Sequence, residues 1–255
     1  MKDIATEKPI CIDLFCGLGG WTEAFLSEGY VCIGFDNGSC GRELLKQYLG
    51  YLVLQDVISL DGSQFKNAAV IVASPPCQEY SYMAMPWSRA KTIAQEYRDG
   101  KRDVQKLTAL FDACFRIQRE ASEAAGHKIP LIVENVKGAQ KWVGRANWLY
   151  GSFALWGDVP ALMPIAFNAQ KMPKDHDTFR KMGEPCQHFT NPSEGSGYKK
   201  NNNGYKNARN WWSGGKGSLS AITSSHSNAR KAASAMIAKI PFELARHIAR
   251  TYRHP

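Results

Sequence analysis

The chain has 255 residues, enough to bury a large core as one α/β domain or one domain with a small appendage. Hydrophobic residues make up 44%, ordinary for a globular protein, and no run of ~18 apolar residues occurs, so no membrane-spanning helix is expected. The net charge of +9 is unevenly placed: residues 196–255 hold 11 Lys/Arg and the single acid Glu243, whereas residues 1–195 hold 21 Lys/Arg and 22 Asp/Glu. Charge gathered in the last quarter points to a polyanionic partner, the alternative being a solvated basic helix and a lysine-rich loop.

The N-terminus, MKDIATEKPICIDLF, lacks the charged–apolar–small layout of a signal peptide. The seven cysteines are odd in number, scattered and without a Cys-x-x-Cys pair, which fits a reducing cytoplasm and argues against a disulfide framework. Cys186-Gln-His188 has no second pair at ligand spacing, so no metal is expected.

In chain order, residues 9–15 read as a buried strand, CGLGG as a glycine turn and residues 21–28 as a helix stopped at Gly29. Strands follow at 31–36, 51–56 and 69–74, with a short helix at 41–48. Residues 77–103 are polar and turn-rich and read as a long loop. Residues 104–125 have the apolar spacing of an amphipathic helix, ended by Gly126, and 129–135 is a fifth strand. Residues 151–156 could form another. Residues 160–220 are too polar and glycine-rich to extend the sheet, and their aromatics set them apart from a plain linker. Residues 228–252 read as two helical pieces broken at Pro241.

Alternating strands and helices predict an α/β fold with a mostly parallel, doubly wound sheet, whose ligands lie outside the carboxyl ends of the strands. The residues with chemistry fall at those ends: the glycine turn, Asp36, Asp56, Cys77 and Glu134. In FCGLGG the third glycine of the dinucleotide fingerprint is replaced by Thr22, and the Gly-Lys-Ser/Thr ending of a nucleotide-triphosphate loop is absent. Both disfavour a pyrophosphate and leave an adenosine-type cofactor without phosphates. Asp36 suits its ribose hydroxyls and Asp56 its adenine amino group, although each aspartate alone could be a helix cap. A thiol at 77 and a carboxyl at 134 on one pocket suit addition to an electron-poor ring, with the acid draining charge at a ring nitrogen.

DLFCGLGGWTEAF, SPPCQEYS and VENVKG resemble the first, fourth and sixth motifs of the DNA (cytosine-5)-methyltransferase family, and LTALFDACFRI resembles its fifth. The likeness runs in order over residues 10–138, and it implies a Rossmann-like methyltransferase fold that uses S-adenosyl-L-methionine. It implies that Cys77 adds to C6 of a flipped cytosine while Glu134 contacts N3 and the exocyclic amine. Phe15, Cys16, Gly17, Leu18, Gly19, Gly20, Asp36, Asn37, Asp56, Val57, Pro76 and Leu110 would line the cofactor pocket, Leu110 having plain helix packing as its alternative. Pro76, Gln78, Ser81, Asn135 and Val136 would face the substrate.

Two family motifs are altered. The Gln-x-Arg-x-Arg signature is absent, and Arg145 is the candidate to supply its guanidinium, a surface arginine being the alternative. The last motif has its counterpart in IAKIPFELARHIA, where Ala238 replaces the expected asparagine and Lys239 stands beside it. Lys239 therefore raises a second donor, a sulfonium cofactor carrying an extra carboxylate. The expected layout is a catalytic domain over 1–158, a small, irregular basic recognition lobe over 159–225 and C-terminal helices over 226–255 that return to the catalytic domain. Lys199, Lys206, Arg209, Trp211 and Trp212 are candidates for contact with double-stranded DNA. The resulting expectation is a monomeric, cytoplasmic enzyme of a restriction–modification system or a phage. Its rivals are a tRNA-directed member of the family and a catalytically silent DNA-binding relative.

Overall fold

The computed structural model describes residues 8–39, 41, 45–76, 80, 87–151, 153–163 and 239–253. Seven strands form one sheet: β1 Ile10–Leu14, β2 Val31–Asp36, β3 Tyr51–Leu54, β4 Val70–Ala73, β5 Leu131–Val136, β6 Trp148–Tyr150 and β7 Phe153–Gly157. Their order is β3-β2-β1-β4-β5-β7-β6. Strands β1 to β5 pair in parallel, and β7 runs antiparallel between β5 and β6. The helices are α1 Gly20–Ser27, α2 Trp87–Arg98, α3 Val104–Ala125, the single turn α4 Gln140–Val143 and α5 Phe242–Tyr252. This is the mostly parallel α/β architecture of Rossmann-like methyltransferases.

Strand alternation divides the core into two layers. Ile12, Leu14, Ile71, Ala73, Leu131 and Val133 face α3, which answers with Leu107, Phe111, Cys114, Ile117 and Ala121. Cys11, Val70, Val72, Ile132 and Leu155 face the other way, onto α1 and α5. Helix α3 starts where the Asp103 carboxylate accepts from the Gln105 and Lys106 amides, and it stops at Gly126, whose φ of 72° suits glycine.

Helix α5 begins directly after Pro241, which lacks an N–H to give a preceding helix, and buries Leu244, Ala245, Ile248 and Ala249 in one stripe. That stripe covers Trp21, Ala24 and Phe25 of α1. Leu244→Ala should therefore leave a cavity between the two helices and cost about 3 kcal/mol of stability, read as a shift in urea midpoint at unchanged slope.

Three differences from the sequence reading have physical causes. The polar stretch expected as a loop contains α2, because WSRAKTIAQEYR is made of helix formers, and among its described side chains only Ala94 and Tyr97 are buried. Strand β3 ends at Leu54 instead of 56, because Asp56 caps a 3-10 turn over Val57–Ser59. The last two strands form a hairpin, β6–β7, where a single strand over 151–156 was expected. Residues 42–44 of the short helix expected at 41–48 lie outside the described residues, as do the helical piece before Pro241 up to residue 238 and nearly all of the 159–225 lobe.

Candidate active site

The chain turns right to β2 and β3 and left to β4 and β5 from β1, so the crevice at the carboxyl ends of β1 and β4 is the topological switch point. The glycine turn leaves β1 there. Phe15 has a φ of 59°, uncommon for a residue with a side chain and worth about 1 kcal/mol or more of strain. Gly17 and Gly19 follow with φ of 48° and 74°. The Gly17 amide donates to Asp36 Oδ2 at 3.2 Å, and the Gly38 amide donates to Oδ1 at 2.8 Å, which fixes that carboxylate at the end of β2. Among the described residues, a Cβ on Gly17 would meet only the Phe15 carbonyl, 4.0 Å away. A glycine turn beside a fixed carboxylate fits an adenosyl cofactor. Cys16 is buried, Leu18 half-buried and Asn37 exposed in the same turns. Asp56 is exposed and accepts from the Ile58 amide at 3.0 Å, with Val57 buried behind it. Leu110 is half-buried on α3.

Across the crevice, Trp21 Nε1 of α1 donates to Ser74 Oγ at 3.0 Å, linking the glycine turn to the end of β4. Ser74 leads into buried Pro75 and exposed Pro76. Glu134 is buried at 6% exposure in β5, opposite Leu155 of β7. Its neighbour Asn135 donates from Nδ2 to the Pro75 carbonyl at 3.0 Å and accepts at Oδ1 from the Val136 amide at 2.8 Å. The Tyr80 hydroxyl donates to the Leu107 carbonyl at 2.6 Å. Both sides of residues 77–79 are thus anchored, to β5 and to α3. Cys77, Gln78, Ser81, Lys199, Lys206, Arg209, Trp211 and Trp212 lie outside the described residues.

Arg145 is exposed and stands two residues before Asn147, whose amide donates to the Leu155 carbonyl at 2.8 Å; Leu155 of β7 lies between Trp148 of β6 and Glu134 of β5. Lys239 does reach the glycine turn, but its Nζ lies 2.6 Å from Glu23 Oε1 in the first turn of α1. Arg246 and Arg250 both reach Glu28 Oε1, at 2.6 and 2.9 Å. Three of the eleven basic residues of the last quarter therefore serve α1.

Beneath the glycine turn lies a polar cluster that the motif reading passed over. Asp13, 1% exposed in β1, accepts at Oδ2 from the Thr22 hydroxyl at 2.8 Å, and Thr22 in turn meets the Tyr48 hydroxyl at 2.6 Å. Asp13 Oδ1 is buried and has no partner among the described residues. The Tyr48 ring lies beside Gly19, where a Cβ would sit 3.0 Å from it. An aspartate inside the apolar run ICIDLF was the available signal. Burial pushes the Asp13 pKa from 3.8 up to about 7, against the Thr22 hydrogen bonds and with help from the charge of Asp36. The folded protein then keeps a proton that the unfolded chain releases near pH 4. Stability from this carboxyl is full below that pH and declines as pH rises through 7, by on the order of 4 kcal/mol for three pKa units. Asp13→Asn should flatten the decline of the urea midpoint between pH 5 and 8.

A family model described as C-5 cytosine-specific DNA methylase matches residues 10–146. No curated protein matches the chain. Among solved structures, Entamoeba histolytica methyltransferase EhMeth is 17% identical with a TM-score of 0.38, covering 54% of this chain and 41% of its own. S. pombe Dnmt2 methyltransferase is 14% identical with a TM-score of 0.36, covering 54% and 37%. A triple mutant of Spodoptera frugiperda DNMT2 is 18% identical with a TM-score of 0.30, covering 52% and 37%. The chain thus spans about two fifths of the length of the solved structures it matches. The family match takes in β1 through the turn before β6, more than half of the sequence, and on that ground the chain belongs to the C-5 cytosine-specific DNA methylase family.

Proposed function

We propose that this protein is a DNA cytosine-5 methyltransferase whose attacking group is the Cys77 thiolate. The family uses S-adenosyl-L-methionine, which supplies an electrophilic methyl group when bound. Phe15 to Gly20, Asp36, Asn37, Asp56 and Val57 are the residues that would hold it. The target carbon is inaccessible inside a base stack, so the cytosine must be extruded first. Cys77 then adds to C6 and leaves C5 electron-rich, while Glu134 hydrogen-bonds N3 and the exocyclic amine and draws charge from the adduct. After transfer, loss of the C5 proton and β-elimination of the thiolate return the enzyme.

The observation that carries this reading is the Asn135–Pro75 hydrogen bond. It ties the strand bearing Glu134 to the segment that runs into Cys77, as a pincer on one pyrimidine requires. The neutralised charge of Lys239 supports an ordinary methyl donor: the ammonium that an extra carboxylate would need already faces Glu23. A nucleic-acid substrate is favoured by the basic residues between 199 and 231, and the DNA-methylase description of the matching family favours DNA over RNA.

The test is incubation with labelled S-adenosylmethionine and either 5-fluorocytosine duplex DNA or tRNA. A covalent adduct on the DNA is the expected result. Label on tRNA alone would transfer the reading to the RNA-directed branch, and tight DNA binding without any adduct would leave a silent binding protein. Mass spectrometry of the product nucleoside is expected to show methylcytosine, with no carboxymethyl form when both donors compete.

A further inference from the structure

We propose that the Lys239–Glu23 ion pair is a latch that sets the first turn of α1, so that Lys239 acts on the cofactor pocket as a positioning residue and not as a contact of the cofactor. The inference rests on the family's use of S-adenosylmethionine at the glycine turn. Helix α1 starts without help: Gly19, its N-cap, has a left-handed backbone and no side chain to satisfy the exposed amides. Its first helical bond runs from the Glu23 amide to the Gly19 carbonyl, at 3.0 Å. The carboxylate of the same residue holds Lys239 Nζ at 2.6 Å.

The lysine stem lies across Gly20. A Cβ there would stand 3.0 Å from Lys239 Cγ and 2.8 Å from the Ile240 amide nitrogen, so only glycine admits this crossing. Ile240 is buried, and the chain continues into α5. The other end of α1 is held in a similar way, Glu28 receiving Arg246 and Arg250, and the Tyr30 hydroxyl donating to the Ala249 carbonyl at 2.9 Å. The C-terminal segment thus grips α1 through one acid at each end, and the Glu23 grip lies one turn from Gly19. The side chains of the pair are 25% and 33% exposed, so part of the attraction is screened.

Three variants separate a latch from a cofactor contact: Lys239→Met, which keeps the stem, Glu23→Gln, and the exchange Glu23→Lys with Lys239→Glu. Each single change is expected to weaken S-adenosylmethionine binding roughly tenfold by calorimetry, because a fraction of molecules lose the competent turn. Each should also speed hydrogen exchange at the Glu23 amide without any cofactor. The exchanged pair should recover affinity to within about threefold, the remainder reflecting a lysine at a helix N-terminus. Normal affinity in Glu23→Gln with loss in Lys239→Met, or an exchange no better than the singles, would make Lys239 a direct contact and overturn the latch. Parent-like binding in all three would reduce the pair to an ordinary surface ion pair. If the parent itself bound no S-adenosylmethionine, the cofactor reading would fall, and the Glu23 amide exchange would still decide the latch.

Discussion

Cys77→Ser should abolish methyl transfer to DNA, by at least about 10³-fold, and should form no adduct on a 5-fluorocytosine duplex. A serine hydroxyl is far less nucleophilic than a thiolate at neutral pH, and its addition to a pyrimidine ring needs a base that the proposed mechanism does not supply. The second half of the pincer predicts a different degree of damage. Glu134 is buried in β5, one residue past the end of the ladder with β4 and paired with Leu155 of β7. Glu134→Gln keeps the shape of the side chain but cannot hold the ring nitrogen as an acid does, and it should slow transfer by about 10²–10⁴-fold. Trapping should persist in this variant at long incubation, because the thiol remains. Single-turnover rates and adduct yield, measured together, separate the two roles. Rapid methylation by Cys77→Ser, or loss of trapping equal to that of the serine variant in Glu134→Gln, would contradict the assignment.

The sheet was legible because its strands are apolar runs closed by acids, glycine or proline. Asp36 ends β2, and Pro75 follows β4. Helix α3 was legible to the residue, since Asp103 and Gly126 bound a long apolar period. Helix α2 was hidden because polar and charged residues outnumber the apolar ones that would mark a helical period. The polar cluster under the glycine turn was hidden for another reason. Thr22 breaks a glycine fingerprint in sequence, but only the folded chain shows that its hydroxyl is needed by Asp13. Charge misled in part. The basic last quarter pointed to a polyanion, yet Lys239, Arg246 and Arg250 meet acids of α1. Composition counts charges and cannot see which of them are already matched. The missing arginine signature was the hardest to trace, because a guanidinium can reach a pocket from any distance in sequence. Arg145 was the nearest candidate along the chain, and it lies just before the strand whose Trp148 is level with Glu134 across β7.

Asn135→Ala should lower the single-turnover rate of methyl transfer about 10²-fold while costing only ~1–3 kcal/mol of stability. The reasoning begins with the two prolines. Strand β4 pairs with β5 through Ala73 and Val133, and the ladder stops there. Pro75 and Pro76 have no N–H, so this segment offers β5 only carbonyls. The Asn135 side-chain amide donates to the first of them and extends the tie between the strands past the point where backbone bonds end. At 1% exposure no bulk water stands ready to replace it. Alanine would leave the buried Pro75 carbonyl without this donor, and the chain running into Cys77 would lose its fixed distance from Glu134. A displacement of about 1 Å at a reacting atom is enough for a hundredfold loss. Asn135→Asp sharpens the test, because an ionised carboxylate has the same shape and repels the Pro75 carbonyl instead of donating to it. It should be at least as slow as the alanine variant at pH 8. Cofactor affinity should change little in either, since the glycine turn is held from α1 and β2. A large loss of S-adenosylmethionine binding at an unchanged transfer rate would instead place Asn135 in the service of the cofactor.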